Sequence, residues 1–337
     1  MPASPPLSVL LPVRNEESVL QEALDSLSAQ TFSSFEVLAV DDGSIDGSRE
    51  ILLDAARKDP RIRLLRQEPS GIVAALERGR SLARGRYLAR MDADDVALPR
   101  RFQAQMDLVA ADPGLAAVGT RVRYFPRKKV RDGARRYEAW INGLVSHREM
   151  VRDLFVECPL PHPTLLLRAD VLDLVGGYRA RGWPEDYDLI LRIWEGGGRF
   201  GKVPEPLLEW RERSRRLSRT HSDYSEEAFR RCKVHHLLRT HLGHGRSVVI
   251  WGAGPVGKAF ARELLAQGGT LRAFVDLSPN RMGQEIHGAL VLPPWKAGKL
   301  EDELHLAAVA QPGARQEIRR TLTEMGKREL RDFLAVA

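Results

Sequence analysis

The 337 residues are 43% hydrophobic, enough for more than one core, and length alone suggests about two domains. The formal net charge is +7, and the only two cysteines, Cys158 and Cys232, exclude a disulfide framework and a cysteine-built zinc site. No stretch approaches the ~18 uninterrupted apolar residues of a membrane helix. The first apolar run follows Pro6 with no basic or signal-like segment ahead of it, so the expectation is a soluble, cytoplasmic protein without a leader.

Leu7–Val13 is a short apolar run of the kind a strand covered on both faces needs, and Val19, Leu20, Ala23, Leu24 and Leu27 follow helical spacing. Phe35–Val40 predicts a second strand, Ile51, Leu52, Ala55 and Ala56 a helix, and Ile62–Leu65 a third strand. Residues 72–83 predict a helix, Tyr87–Met91 a fourth strand, and Pro99 the start of another helix. This β-α alternation argues for a mostly parallel sheet with helices on both faces. In such sheets ligands gather at the carboxyl ends of the strands. The polar motifs fall there: Arg14-Asn15, Asp41-Asp42-Gly43-Ser44 and Asp92-Ala93-Asp94-Asp95.

Past residue 160 the pattern is mixed: a strand over His162–Leu167, a helix over Glu185–Trp194, a short strand over Leu207–Trp210 and a helix over 223–242. The alternation restarts at Ser247. Val248–Trp251 predicts a strand, followed by Gly252-Ala253-Gly254-Pro255-Val256-Gly257 and a helix to about Gln267. Strands follow over Leu271–Asp276, Leu306–Ala310 and Phe333–Val336, with a helix near 313–325. The expected domains are 1–222, a helical connector 223–245, and a smaller α/β domain 246–337.

Positive charge is concentrated in two places. Arg121, Arg123, Arg127, Lys128, Lys129, Arg131, Arg135 and Arg136 surround one acid, Asp132; Arg211, Arg213, Arg215, Arg216 and Arg219 form a second cluster. Two readings stand: solvated surface, or attraction of a diphosphate donor, a lipid-linked acceptor or an anionic membrane face. Nucleic acid is disfavoured, because few aromatics accompany the arginines. His235, His236, His241 and His244 read as polar-face residues, since no carboxylate joins them at ligand spacing. Cys158, beside Pro159, reads as buried rather than nucleophilic.

Carboxylates at a strand end can hold a hard cation that shares its shell with phosphate. Asp92 and Asp94 point to one side of an extended segment, and Asp95 adds a third carboxylate; the plainer alternative is an acidic turn capping the next helix. The ordered set Ser8–Glu17, Val40–Ser44, Met91–Asp95, His162-Pro163-Thr164, Gly176-Gly177-Tyr178 and Glu185-Asp186-Tyr187-Asp188-Leu189 resembles the family 2 glycosyltransferases and their GT-A fold. The resemblance covers roughly residues 7–220.

The resemblance implies an inverting transfer of one sugar from a nucleotide-sugar, with Mn²⁺ or Mg²⁺, to a glycan or lipid-linked acceptor. It implies that Pro12, Arg14, Asn15 and Glu16 line the base and ribose, and that Asp42, with Asp41 behind it, accepts from a uracil-type N–H. Asp92 touches ribose or metal, and Asp94 is the main metal ligand. Asp186, beside Glu185, is the general base, with Asp188 the alternative. Acids at that helix start also suit the dipole. Two positions depart from the family pattern: Glu77 stands where an Asn is usual, and Arg213 where many members carry a His. The third metal ligand is thereby left open, with His221 a candidate. The Gln-x-x-Arg-Trp of processive polymerases is absent from the sequence.

In the second domain Gly252, Gly254 and Gly257 sit between a strand and a helix, as a dinucleotide loop requires, and Asp276 ends the next strand where a ribose-binding acid would lie. The domain is therefore expected to be Rossmann-like, with either a bound NAD-like nucleotide or a purely structural role. Two competing functions follow: an NAD(P)-dependent oxidoreductase or epimerase run by this domain, or a non-catalytic sugar-nucleotide sensor.

Overall fold

Strands β1 (Leu7–Val13) and β2 (Phe35–Asp42) are buried along almost their whole length. Unbroken apolar runs suit strands with helices on both faces. Helices α1 (Leu20–Ser28) and α2 (Ser48–Lys58) follow these strands, then β3 (Ile62–Gln67), α3 (Ile72–Leu82) and β4 (Tyr87–Arg90). The computed structural model describes residues 4–213 and 216–337. Arg215 of the second basic cluster and the side chain of His244 lie outside the described set.

The chain then runs through β5 (Val96–Ala97), α4 (Arg101–Ala111), β6 (Leu115–Phe125), α5 (Asp132–Gly143) and α6 (His147–Arg152). It continues into β7 (Leu166–Arg168), α7 (Ala169–Leu174), α8 (Glu185–Glu195) and β8 (Arg199–Arg211). The eight strands form one sheet in the order β3-β2-β1-β4-β7-β6-β8-β5. The four on the β3 side are mutually parallel, β7 runs antiparallel between β4 and β6, and β8 is parallel to β6. The sheet is thus mixed, with parallel pairing making up the larger part of it and the antiparallel pairs short.

Two expected strands change form, each because of proline. His162–Thr164 is a 3-10 turn, and pairing begins only at Leu166, because Pro161 and Pro163 have no N–H to donate. Leu207–Trp210 is the last part of the thirteen-residue β8, which Pro204 and Pro206 interrupt, and the register against β6 shifts beside Pro206. The helix expected at Pro99 begins at Arg101.

By contact the chain divides into two units. The first is Met1–Met150, Pro159–Arg181 and Glu185–Arg216; the second is Val151–Cys158, Gly182–Pro184 and Leu217–Ala337. The boundary expected at 222 therefore falls earlier, and two short upstream segments belong to the second unit. Hydrogen bonds hold them there: Lys233 Nζ donates to Val156 O at 2.7 Å and to Val336 O at 3.0 Å, and Arg231 to Gly182 O at 2.6 Å.

The second unit carries α9 (Leu217–Thr220), α10 (Glu226–Thr240), β9 (Val248–Trp251), α11 (Pro255–Ala266) and β10 (Leu271–Val275). It ends with β11 (Glu285–Ile286), β12 (Ala289–Leu292), α12 (Pro294–Ala297), β13 (Leu304–Ala307), α13 (Ala314–Glu324) and β14 (Phe333–Ala335). Its sheet order is β11-β12-β10-β9-β13-β14, parallel throughout except for the β11–β12 hairpin. Ser225 caps α10 by accepting from Ala228 N. Among the described residues no helix is long and apolar enough to cross a membrane.

Gly85, at the entry to β4, marks a tight backbone approach to β1. A Cβ there would meet Ser8 N at 2.5 Å, Leu7 C at 2.7 Å and Tyr87 O at 2.8 Å. Backbone cannot swing aside as a side chain can. Gly85→Ala should therefore lower stability by about 1–3 kcal/mol, the usual cost of overpacking, read as a fall in the denaturant midpoint. An unchanged midpoint would mean that β1 and β4 are not held this closely.

Candidate active site

The loops after β1 and β2 are fastened to each other before they can meet any ligand. Asn15, at φ 55°, donates its N–H to Ser44 Oγ at 3.1 Å and accepts from Ile45 N at 2.9 Å. Glu16 N donates to Ser48 Oγ at 2.7 Å, and Asp41 accepts from Ser44 N at 2.9 Å. Gly43 (φ 69°) is required here, because a Cβ would lie 2.5 Å from Pro69.

Asp42 has both oxygens occupied. Oδ1 accepts from Gln67 Nε2 and Ser70 N, each at 2.7 Å, while Oδ2 accepts from Gly71 N at 2.9 Å and lies 3.5 Å from Arg14 Nη1. Asp42 therefore orders the turn into α3, and the pyrimidine N–H expected of it would have to share these oxygens. Pro12 and Arg14 close the same end of β1, Arg14 exposed and Pro12 half-buried.

The acidic turn after β4 gathers Asp92, Asp94 and Asp95, each with an oxygen within 4.8 Å of the others. Asp95 is 1% exposed. Its Oδ1 accepts from Arg211 N at 2.8 Å, and its buried Oδ2 has no hydrogen-bond partner among the described residues. Burial, then Asp94 and Asp92, push Asp95 well above the usual carboxylate range, and burial followed by Asp92 raises Asp94. Such a cluster, with an orphaned buried oxygen, fits a hard divalent cation.

Arginines surround this turn, and sequence reasoning missed the two beneath it. Arg90, on β4 and 2% exposed, pairs with Asp92; Arg101, fully buried on α4, donates to Arg90 O at 2.6 Å. Burial lowers Arg101 to about 9. The available signal was an arginine inside the apolar run Tyr87–Met91. From the end of β8, Arg211 Nε donates to Asp94 O at 2.6 Å. Arg213, at the position where the resemblance would put a histidine, bridges Asp94 at 2.6 Å and Glu16 at 2.6 Å. Arg216 lies over the Trp210 ring at 4.3 Å, and Trp210 stacks on Tyr124 at 5.0 Å.

Asp186 and Glu185 open α8. Asp186 is half-buried, accepts from Tyr187 N at 2.8 Å, and is lifted by burial to about 6. Asp188, by contrast, is buried in an ion pair with Arg192 at 2.7 Å. Glu185 faces His162 at 3.6 Å, and His162 reaches the Tyr178 hydroxyl at 3.3 Å. Burial holds His162 well below its ordinary value, so the ring is neutral.

The acid at Glu77 also has a structural role. Its Oε1 accepts from Tyr178 N at 2.7 Å, and a Cβ on Gly177 would come within 2.5 Å of it. Glu77 thus fixes the Gly176–Tyr178 turn that carries Tyr178 to His162.

Of the first basic stretch, several members are tied to the fold: Arg121 donates to Asn142 O at 2.8 Å, Arg127 pairs with Glu138 at 2.7 Å, and Arg123 with Glu209. Lys128, Lys129, Arg131 and Arg136 are exposed. His221, the candidate third ligand, belongs to the second unit, where it accepts from Asp223 N at 3.3 Å. Cys158 is buried. Gly252, Gly254, Gly257 and Asp276 also belong to the second unit, at the ends of β9 and β10.

The family model described as glycosyl transferase family 2 matches residues 8–175. EpsE of Bacillus subtilis, named as a glycosyltransferase, is 31% identical over 230 residues, covering 67% of this chain and 80% of its own length. The chain belongs to glycosyl transferase family 2. A second relative of this glycosyltransferase, the amylovoran biosynthesis glycosyltransferase AmsE of Erwinia amylovora, is 28% identical over 207 residues, covering 60% of this chain and 75% of its own.

Among solved structures, Staphylococcus aureus TarS 1–349 in complex with UDP-GlcNAc matches with a TM-score of 0.56 at 17% identity over 69% of this chain. The glycosyltransferase chain spans just under two thirds, 66%, of that structure. The mannosyltransferase PcManGT of Pyrobaculum calidifontis, in complex with GDP-Man and Mn²⁺, matches at 0.50 and 20% identity, over 70% of this chain and 63% of its own. These likenesses establish a GT-A-like α/β fold.

Removing the Glu77 carboxylate should expose its structural role. Glu77→Ala leaves a backbone donor unpaired and should cost about 1–3 kcal/mol, whereas Glu77→Gln keeps an acceptor for Tyr178 N and should cost clearly less. Thermal unfolding of the two variants separates them; equal losses would point instead to the ion pair that Glu77 makes with Arg80 at 2.7 Å.

Proposed function

We propose that this glycosyltransferase moves one sugar from a nucleotide-sugar to an acceptor hydroxyl, inverting the anomeric centre, in the assembly of a surface polysaccharide. One observation carries the reading: a three-carboxylate turn at a strand end and a carboxylate of raised pKa at a helix start, with buried Arg90 acting on both. The ligands bound in the two similar solved structures, UDP-GlcNAc in one and GDP-Man with Mn²⁺ in the other, support a nucleotide-sugar donor and a divalent ion. The name of AmsE supports the polysaccharide context.

Asp94 and Asp92 would hold Mn²⁺ or Mg²⁺, with Asp95 beneath them. When bound, the ion supplies positive charge against the diphosphate that leaves. Asp186 takes the proton of the acceptor hydroxyl as that oxygen bonds to the anomeric carbon. The bond from that carbon to the diphosphate oxygen breaks, and its electron pair leaves with the nucleotide. Asp188 suits this role less well because Arg192 already neutralises it. Arg213 is within reach of both Glu16 and Asp94, and it offers a second cation beside the leaving group once those acids turn to the ion.

Titrating UDP- and GDP-sugars with Mn²⁺ and with excess EDTA tests the donor site. Binding should need the ion, and Asp94→Asn should weaken metal-dependent binding by at least about tenfold, or about 1.4 kcal/mol. Equal donor affinity in EDTA and in Mn²⁺ would remove Asp94 from this role.

A separate measurement reads the base. Asp186 must be ionised to accept a proton, so kcat/KM should rise with pH and level off above about 6. Asp186→Asn should keep donor affinity and lose transfer by ~10² or more. A normal rate in Asp186→Asn, with the loss in Asp188→Asn instead, would move the base to Asp188.

A further inference from the structure

The second unit holds a cavity of about 690 Å³ that no step of sugar transfer uses. It opens at the carboxyl ends of β9, β10 and β13, where the strand order turns. From β9 the chain goes first to β10 and β12 on one side, then to β13 and β14 on the other. Loops leaving β9 and β13 diverge there, and crevices at such points are where parallel α/β sheets bind nucleotides. The volume lies within the range of small-molecule sites.

The three glycines of the loop have different reasons to be glycine. A Cβ on Gly252 (φ 109°) would lie 2.5 Å from Val309 Cγ2, and one on Gly257 would lie 1.8 Å from Gly252 O, where α11 sits on the loop. Those two are demanded by the fold itself. Gly254 is not: at φ −83° and ψ −171° any residue fits, and its Cβ would meet only Arg281 Nη1, at 3.7 Å. The bare face of Gly254 opens into the cavity beneath a guanidinium.

The rest of the wall is consistent with one occupant. The charged side chains among the described lining residues are one base, Arg281, and two acids, Asp276 and Glu317. Asp276 accepts from Ala253 N at 2.8 Å and Ser278 N at 2.9 Å and pairs with Arg281 at 3.0 Å. Burial opposes its charge, but these contacts outweigh it and hold the carboxyl below its usual range. Leu277 follows it on the wall and is 70% exposed, an apolar platform left to solvent.

We propose that this cavity binds a ribonucleoside diphosphate, free or as half of a dinucleotide. Its phosphates lie over Gly254, against the first free N–H groups of α11 and Arg281. Its ribose hydroxyls face Asp276, and its base lies on Leu277. The site stands independently of the sugar-transfer reading, because every residue named belongs to the second unit.

The test is calorimetric titration of the full chain with ADP and with NAD⁺, in EDTA and in an Asp94→Asn background, which together disable the donor site. Gly254→Val fills the bare face without backbone strain. One saturable site should appear in the wild type and in Asp94→Asn, with the arm that binds identifying the mononucleotide or the dinucleotide. Gly254→Val should weaken it by about tenfold or more, the loss of one or two hydrogen bonds to phosphate, with unchanged thermal unfolding. If that variant proves unstable, Arg281→Gln serves, with a smaller loss in the same direction. No binding of either probe at millimolar concentration would overturn the proposal. So would binding that survives both cavity variants or that disappears in Asp94→Asn.

Discussion

Three carboxylates on four consecutive residues, one of them wholly buried, set the constraint around which the first unit is arranged. Like charges this close oppose one another, and removal from water makes Asp94 and Asp95 costlier to ionise. The fold answers with cations drawn from elements far apart in sequence: Arg90 from β4, Arg101 from α4, and Arg213 and Arg216 from the segment after β8. The mixed sheet makes this possible. Only because β8 returns beside β6, with β5 at its edge, does the chain near residue 211 pass the acidic turn. Strand order and charge balance are in this sense one problem.

The arginines that look like a surface cluster in the sequence are thus divided by the fold. Arg213 is a counter-ion of the acidic turn, Arg211 ties the Asp94 backbone carbonyl and pairs with Glu22, Arg216 packs over aromatic rings, and Arg121 and Arg127 hold α5 against β6. Spacing along the chain does not distinguish a counter-ion from a solvated residue, since the distinction depends on what lies across the sheet. The same holds for Glu77, which a family comparison marks as a departure and the structure explains as a partner of Tyr178 N.

How much was readable from sequence follows the same division. Alternating local patterns located β1 to β4 and the helices between them, and the polar motifs fell at their ends because parallel strands place their loops together. What periodicity missed was long-range or proline-governed. Strand β6 and helix α5 were hidden under a run of charge, β8 was read only in part because Pro204 and Pro206 interrupt its pattern, and the segments 151–158 and 182–184 could not be assigned without contacts. Arg90 was visible as a charge inside an apolar strand, a signal strong enough to have been used. Asp42 was found, but its hydrogen bonds to Gln67, Ser70 and Gly71 were not, because they come from a turn with no signature of its own.

The ion pair between Asp188 and Arg192 has a consequence for the helix start it adjoins. It leaves Asp186 beside a neutral pair rather than a second bare carboxylate; burial is the largest cause of its raised pKa, opposed by the Tyr187 N–H and Arg90 and reinforced by Asp92. Dissolved ions screen charge across water; they do little to a cost that comes from the absence of water. The ionisation of Asp186 should therefore respond less to ionic strength than that of a carboxylate shifted by neighbouring charges alone.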